Sequence, residues 1–232
     1  MIILITGASQ GIGAAIAEAF AAEDGAQLVL LARTESKLDA VAERCRQRGA
    51  EALVVPCDVT DDAAVAAAAE RVRERFGVPD TLVNNAGAFV PGGVLETSAA
   101  DFRAQLEVNL TSAFLVTQAF LPEMVERGSG DLFFMASVAS IQGYERGVAY
   151  GAAKHGLLGL ARSLREEVKP HGLRVMTLLP GATYTDSWAG SDIEPERLMP
   201  PEDIAAAVLA MHRLTGRTVV EELLLRPQLG DI

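Results

Sequence analysis

The chain has 232 residues and a formal net charge of −11, and 50% of its residues are hydrophobic. Its length suits one domain, and its composition predicts a globular fold with a large core. Lysine and arginine form no block in this acidic sequence. Nucleic acid and anionic membrane surfaces are therefore excluded as expected partners, since both require clustered basic residues.

Other whole-chain features exclude further classes. Cys45 and Cys57 are too few for a disulfide framework, and neither they nor the three scattered histidines have the spacing of metal ligands. We therefore expect reduced thiols and no metal. No apolar run reaches the roughly 20 residues of a membrane span, and Met1–Ile5 lacks the basic segment of a signal peptide. These features predict a cytoplasmic protein.

Short apolar runs alternate with longer helical stretches along the chain. The predicted strands are Ile2–Ile5, Leu28–Leu31, Ala52–Val55, Thr81–Asn84, Leu132–Ala136, Arg174–Leu178 and Glu222–Leu225. The predicted helices are Ile12–Glu23, Glu35–Arg48, Asp62–Phe76, Ala99–Arg127, Ala149–Val168 and Pro201–Leu214. Continuously apolar strands are typical of parallel sheets covered on both faces. The alternation predicts an α/β protein over residues 1–232: a single-domain, doubly wound Rossmann fold with about seven parallel strands and helices on both faces.

The least regular stretch is Gly181–Pro200, which contains the only tryptophan, Trp188. Loops of this length inside a compact domain are usually functional. We therefore expect this segment to be the substrate loop.

A glycine-rich turn, Thr6–Gly13, follows the first predicted strand and precedes an alanine-rich helix. Its spacing is Gly-x-x-x-Gly-x-Gly. Glycines in such a turn let the backbone approach a pyrophosphate, and the helix start offers unpaired N–H groups and a positive dipole end. The turn therefore predicts a nucleotide cofactor.

The end of the second strand indicates which cofactor binds. An NAD site usually has an acidic residue there to accept a hydrogen bond from the ribose 2′-hydroxyl. This chain instead has Ala32 followed by Arg33, whose guanidinium suits a phosphate. NADP(H) is therefore favoured over NAD(H). Gln10 weakens this interpretation slightly, because a basic residue in the glycine turn would have added a second phosphate contact.

A serine, a tyrosine and a lysine form the candidate catalytic group. Ser137 follows a predicted strand, where open α/β sheets bind ligands, and Tyr150 and Lys154 lie four positions apart on a predicted helix. A nearby ammonium should lower the tyrosine pKa from its usual value of about 10, which would suit Tyr150 to exchange a proton with a carbonyl or alcohol oxygen. Ser137 would bind that oxygen.

These motifs together resemble the short-chain dehydrogenase/reductase family, over nearly the whole chain. Asp58-Val59, Asn84-Asn85-Ala86-Gly87 and Pro180-Gly181 with Thr185 are similar to further motifs of that family. The resemblance implies a catalytic tetrad of Asn109, Ser137, Tyr150 and Lys154, with Tyr150 as general acid/base. It implies a cofactor site formed by Gly7, Ser9, Gln10, Gly11, Ile12, Gly13, Arg33, Asp58, Val59, Asn85, Ala86, Gly87, Tyr150, Lys154, Pro180, Gly181, Thr183 and Thr185.

The substrate is less constrained. Candidate pocket residues are Val138, Gln142, Gly143, Tyr144 and Trp188. The chain lacks the Gly-Gly ending common in the family, and its tail resembles that of NADP-dependent carbonyl and hydroxy-acid dehydrogenases. The first hypothesis is an NADP(H)-dependent oxidoreductase acting on a small or medium carbonyl/alcohol pair. The alternatives are a 3-oxoacyl-thioester reductase with the same tetrad, and a non-catalytic NADP(H)-binding sensor or scaffold.

Two long predicted helices, Ala99–Arg127 and Ala149–Val168, are apolar over more of their circumference than one sheet face requires. We therefore expect a homo-oligomer, either a tetramer or a dimer. The family commonly forms tetramers through the corresponding helices.

Overall fold

The computed structural model describes residues 1–188, 190 and 192–231. Its seven strands form one sheet in the order β3-β2-β1-β4-β5-β6-β7, and all neighbours pair in parallel. Their bounds are β1 Ile2–Thr6, β2 Gln27–Ala32, β3 Glu51–Pro56, β4 Thr81–Asn84, β5 Gly130–Met135, β6 Leu173–Pro180 and β7 Glu222–Leu225. The predicted seven-stranded Rossmann-like architecture is confirmed, and two predicted strands, Thr81–Asn84 and Glu222–Leu225, have the observed bounds.

The helices connect successive strands. Their bounds are α1 Gly11–Phe20, α2 Glu35–Gln47, α3 Asp62–Arg75, α4 Ala99–Leu106, α5 Ser112–Arg127, α6 Val148–Val168 and α7 Pro201–His212. Two of them begin at a side chain that caps the first turn: Asp61 accepts from two backbone N–H groups of α3, and Ser98 accepts from one of α4. Both helices begin at the predicted residues, Asp62 and Ala99.

One predicted helix is interrupted. Between α4 and α5 the backbone makes a π-helical turn over Glu107–Thr111, within the predicted helix Ala99–Arg127. Apolar periodicity does not reveal such a widened turn, because the helix continues on both sides of it. Turns of this kind are often found at functional sites.

Alternate residues of strand β1 are buried in two separate hydrophobic cores. Ile3 and Ile5 of β1 pack into a core with residues of α1, α2 and α7, whereas Leu4 packs into a second core with residues of α3, α5 and α6. All three side chains are fully buried. Since strand side chains point alternately to opposite faces, this division shows helices on both sides of the sheet. Burying each such side chain contributes about 1.5–3 kcal/mol.

Strand β1 is an inner strand, third in the strand order, with β2 on one side and β4 on the other. The crevice above such a switch point, at the carboxyl ends of the strands, is where open α/β sheets bind ligands. The glycine turn after β1 and the segment after β4 both lie at this crevice.

The loop Gly181–Pro200 contains two short 3₁₀ helices, Asp186–Trp188 and Pro195–Arg197. Its two ends are joined by a bridge between Thr183 and Met199. Positions 189 and 191 of this predicted substrate loop lie outside the described residues.

At the amino ends of the strands, a largely buried ion cluster joins β5, β6 and α7. The Asp131 carboxylate accepts two hydrogen bonds from Arg174, each of 2.7 Å, and one of 2.8 Å from Nδ1 of His212. Arg174 also donates to the backbone carbonyl of His212 at the end of α7. Burial pushes the pKa of the Asp131 carboxyl up, but the hydrogen bonds from His212 and Arg174 outweigh it, so the pKa is lowered.

We predict that Asp131→Asn lowers the free energy of unfolding by about 3–5 kcal/mol, because it leaves a buried guanidinium without its carboxylate. The lowered pKa makes the Asp131 contribution complete above the unfolded-state pKa of about 3.9, and the contribution is lost as the pH falls through the folded-state pKa. The difference between wild type and variant should therefore shrink in acid. Urea denaturation at several pH values measures it.

The matched control is Glu222→Gln, which removes a partly exposed partner of Arg162 and should change stability by no more than about 1 kcal/mol. A loss at Asp131 no larger than that of the control, or one that stays constant down to pH 3, would contradict the stabilising role of this cluster.

Candidate active site

The glycine turn is held against the end of β4. The side-chain amide of Asn85 donates to the carbonyl oxygens of Thr6 and Gly7, at 2.9 and 3.3 Å. The Thr6 hydroxyl accepts from the backbone N–H groups of Asn85 and Ala86, both at 2.9 Å. Four hydrogen bonds thus fix the turn after β1 to the segment after β4.

This arrangement requires glycine at two positions. A Cβ on Gly13 would lie 2.4 Å from the Gly7 carbonyl oxygen and 2.6 Å from the Asn85 amide nitrogen. Gly7 has a φ of +65°, and a Cβ there would lie 2.9 Å from Cα of Ala86. The sequence interpretation assigned these glycines to cofactor approach, and the structure gives them a second role in packing the turn.

Helix α1 starts with Gly11, directly after Gln10. Among the described residues, no side chain caps its first turn, which contains Ile12. Uncapped N–H groups and the helix dipole favour an anion such as a pyrophosphate. The first turn of α1 can therefore receive the phosphates of a dinucleotide, with Ser9 half-buried in the turn that precedes it.

The segment after β6 reaches the same turn. A Cβ on Gly11 would lie 3.1 Å from Cγ2 of Thr185, so the two predicted cofactor segments are neighbours. Pro180 ends β6, the N–H of Gly181 donates to Leu225 at 2.8 Å, and the Thr183 hydroxyl donates to the Gly181 carbonyl at 3.1 Å. The loop therefore starts from a fixed position beside the crevice.

Arg33 follows β2, and its side chain is exposed. Its charge helps hold down the pKa of Asp58, although hydrogen bonds from Thr60 are the larger cause. Val59, the next residue, is buried. The described side chains offer Arg33 no hydrogen bond or ion pair within bonding distance, so its guanidinium is available to a ligand.

The π-helical turn places Asn109 under the segment that follows β4. The Asn109 amide donates to the carbonyl oxygens of Ala88 and Gln105, at 2.9 and 3.0 Å, and its oxygen accepts from the N–H of Ala88 at 3.1 Å. A Cβ on Gly87 would lie 2.7 Å from Oδ1 of Asn109 and 3.6 Å from Nζ of Lys154. Gly87 thus leaves a cradle bordered by both polar groups.

Lys154 is buried, with 4% of its surface exposed, and its ammonium donates to the carbonyl oxygen of Met135 at 2.7 Å. Burial lowers the pKa of Lys154 to about 8. A lysine with so few partners for its charge is costly to bury, and perturbed groups of this kind are concentrated at functional sites.

Ser137 and Tyr150 meet beside this lysine. Ser137 caps the short 3₁₀ helix Val138–Ser140, which fixes the position of its hydroxyl at the end of β5. Burial raises the pKa of Tyr150, and hydrogen bonding with Ser137 acts in the opposite direction. The Lys154 ammonium lies 5.6 Å from the centre of the Tyr150 ring.

The expectation that Lys154 lowers the pKa of Tyr150 is therefore wrong for this structure. The ammonium faces the Met135 carbonyl and the ring of Tyr150, and burial of the phenol outweighs the Ser137 hydrogen bond. Tyr150 is consequently a neutral phenol at pH 7, which is the form that donates a proton.

Two aromatic side chains border Tyr150. Phe89, which sequence reasoning missed, packs edge to face on Tyr150 with ring centres 5.2 Å apart, and it also lies 6.1 Å from Tyr144. Burial and the neighbouring Tyr150 raise the pKa of Tyr144. Phe89 lies two positions after the Asn-Asn-Ala-Gly motif, so its position relative to that motif was the one signal that could have indicated it.

The other predicted pocket residues have different surroundings. Gln142 donates to Asp231 at 3.1 Å and accepts from Arg226 at 3.0 Å, so its amide is bound to the C-terminal tail. Arg197 donates to three backbone carbonyls of the same tail. Val138 and Trp188 are half-buried, and Gly143 is exposed. The tail residues were missed because their contacts are long-range.

Among residues 1–188, 190 and 192–231, no group of three or more His, Cys, Asp or Glu side chains could hold a metal ion. No helix within those residues is sufficiently long and apolar to cross a membrane.

Comparison with known proteins gives a consistent result. The family model described as short chain dehydrogenase matches residues 1–195. A sepiapterin reductase of Chlorobaculum tepidum is 38% identical over 238 residues, covering 100% of this chain and 98% of that protein. The oxidoreductase UcpA of Escherichia coli is 37% identical, covering 95% of this chain and 84% of UcpA.

Solved structures agree. An alcohol dehydrogenase from the archaeon Thermococcus sibiricus, complexed with 5-hydroxy-NADP, has a TM-score of 0.91 and 33% identity, covering 98% of this chain and 96% of that one. A metagenomic short-chain oxidoreductase in complex with NADP has a TM-score of 0.86 and 35% identity, covering 98% and 97%.

The fold and the converging polar side chains thus define a dinucleotide-dependent oxidoreductase. The chain belongs to the short-chain dehydrogenase/reductase family.

Substitution of two helical glycines, Gly13 and Gly159, tests how tightly the glycine turn is packed. We predict that Gly13→Ala lowers the free energy of unfolding by about 1–3 kcal/mol, because the new Cβ has no room beside Gly7 and Asn85. Gly159→Ala, in α6, meets nothing within 4 Å and should raise stability by up to about 1 kcal/mol through helix propensity. Urea denaturation compares the two. Equal effects at both positions would show that the turn tolerates a side chain.

Proposed function

We propose that this enzyme reduces a small or medium carbonyl compound with NADPH, using Tyr150 as general acid. The observation that supports this most strongly is the meeting of the Tyr150 phenol, the Ser137 hydroxyl and the buried Lys154 ammonium beside the cradle at Gly87. NADP(H), when bound, supplies the hydride. The chain's own residues supply position and the proton.

The protonation state of Tyr150 favours reduction. Burial raises the pKa of this phenol, so it carries its proton at pH 7 and can donate it to a carbonyl oxygen as negative charge develops there. Ser137 has a hydroxyl fixed at the end of β5 and would hold the same oxygen by a hydrogen bond.

Lys154 and Asn109 support the proton transfer. With a pKa lowered to about 8, Lys154 is still mostly protonated at pH 7 but exchanges its proton readily. Its ammonium uses one donor on the Met135 carbonyl, which leaves two donors for a ribose hydroxyl or a water. Asn109 holds the adjoining backbone at Ala88 and thereby keeps the cradle open. We therefore assign Lys154 to ribose binding and to the proton relay.

NADP(H) rather than NAD(H) is the proposed cofactor. The end of β2 carries exposed Arg33 where an NAD-dependent site has a carboxylate, and a guanidinium suits a phosphate on the ribose 2′ position. The solved relatives named above hold NADP or its derivative, which agrees with this assignment.

The substrate enters beside the aromatic rings. Phe89 and Tyr144 are both partly exposed and border Tyr150, so they can pack against an apolar or flat part of a carbonyl compound. The relative named sepiapterin reductase covers the whole chain, which makes sepiapterin one substrate to test. Diketones, aldehydes, keto esters and a 3-oxoacyl thioester complete the panel.

We predict that Tyr150→Phe lowers the turnover of NADPH oxidation by about 100- to 10,000-fold, since the variant lacks the proton donor. Its affinity for NADPH should stay within about twofold, because the substitution removes only one hydroxyl. Coenzyme oxidation with the best substrate of the panel and fluorescence titration of NADPH measure the two effects.

The control variant is Ser129→Ala, which removes an exposed hydroxyl directly before β5, at the end of the sheet away from the crevice, and should keep full activity. Tyr150→Phe with turnover like that of the control would contradict the assignment of the general acid. Turnover of the thioester alone would instead identify the enzyme as a 3-oxoacyl-thioester reductase.

We further propose a homo-oligomer that forms through α5 and α6. An apolar groove runs between these helices, and its lining includes Phe114, Leu121, Val125 and Leu160. Phe114 is 45% exposed, and a second copy would cover it. Sedimentation velocity at micromolar concentration should show a dimer or tetramer that Phe114→Glu dissociates, and a monomeric wild type would overturn this proposal.

A further inference from the structure

A lysine from a different segment occupies the place where the glycine turn lacks a basic residue. Lys37, in the first turn of α2, donates from Nζ to Oε1 of Gln10 at 2.5 Å. Gln10 is the last residue before α1. Lys37 is one of only three lysines in the chain, and its side chain is 53% exposed.

The contact spans the space expected for the adenosine ribose. In dinucleotide-binding α/β folds the pyrophosphate lies at the start of the first helix, and the ribose hydroxyls meet the end of the second strand. Gln10 belongs to the first of these places, and Arg33 to the second. Lys37 lies four positions after Arg33, in the first turn of α2, and its ammonium donates to Gln10, so it contacts the first place from the segment that follows the second.

The Lys37 ammonium also forms an ion pair with Asp186, a carboxylate of the predicted substrate loop. Oδ2 of Asp186 lies 3.9 Å from Nζ of Lys37, in the short 3₁₀ helix Asp186–Trp188. Both side chains are more than half exposed, so the ion pair is weak and can rearrange. An ammonium has three donors, and Gln10 takes one of them.

We propose that Lys37 is a second cationic contact for the 2′-phosphate of NADP(H), opposite Arg33, and that Asp186 competes with the phosphate for it. This inference rests on the proposed use of NADP(H). In this proposal Arg33, just before α2, and Lys37, in the first turn of α2, together select NADP(H) over NAD(H). Because Asp186 belongs to the predicted substrate loop, phosphate binding to Lys37 would also release that loop from its ion pair.

The test is calorimetric titration of the wild type and of three variants with NADPH, NADH and adenosine 2′,5′-bisphosphate. Lys37→Gln should weaken NADPH and the bisphosphate by about tenfold, the loss expected for one hydrogen bond to a charged group, and should leave NADH within about twofold. Asp186→Asn should tighten NADPH and the bisphosphate by about two- to fourfold, because it removes the competitor.

Arg44→Gln is the matched control. It removes a cation of α2 that pairs with Glu18, and it should leave all three affinities unchanged. Loss of NADPH affinity in both Lys37→Gln and Arg44→Gln would indicate a general effect of charge and would overturn the proposal.

The other outcomes separate the proposals. If the wild type binds NADPH no better than NADH, the proposed cofactor preference is wrong, and this inference is wrong with it. If the wild type prefers NADPH but Lys37→Gln keeps the full preference, only the role of Lys37 is wrong. If Lys37→Gln weakens NADPH and NADH equally, Lys37 acts on the turn through Gln10 and not on the phosphate.

Discussion

The hydrogen bonds between Asn85, Thr6 and Gly7 are the constraint on which the rest of the site depends. They fix the glycine turn after β1 to the segment after β4, and Gly13 is small enough for that contact to close. Because β1 and β4 are neighbours at the switch point of the sheet, this contact defines one crevice. The glycine turn and the Gly87 cradle therefore lie on the two sides of the same opening.

The end of the crevice at Tyr150 and Lys154 depends on a set of buried polar groups. The π-helical turn brings Asn109 beneath Ala88, and the Met135 carbonyl accepts from the otherwise weakly paired ammonium of Lys154. The same burial lowers the pKa of Lys154 to about 8 and raises that of Tyr150, so the lysine releases its proton at a lower pH than the tyrosine does. A neutral phenol beside a buried ammonium is suited to donate a proton and then to be reprotonated.

Sequence reasoning predicted much of the fold, because runs such as Leu28–Leu31 are short, continuously apolar and separated by longer helical stretches. It also proposed Ser137, Tyr150 and Lys154 as one group, because their spacing on a strand end and a helix face is local. It did not find the π-helical turn, which leaves the apolar pattern unchanged. It misjudged the pKa of Tyr150, because desolvation depends on the whole packed site. Contacts distant in sequence, such as Gln142 with Asp231 and Lys37 with Gln10, leave no local signal.

The most direct test of the central claim is a deuterium-transfer measurement with NADPH labelled at either position of nicotinamide C4, using the best carbonyl substrate of the panel and mass spectrometry of the product. If carbonyl reduction takes place in the crevice, beside Tyr150 and Ser137, the fixed walls of the crevice would allow hydride transfer from only one C4 position of the cofactor. The expected result is deuterium on the former carbonyl carbon from only one of the two labelled cofactors. Deuterium from neither, despite oxidation of NADPH, would show that this site does not reduce carbonyl compounds by hydride transfer.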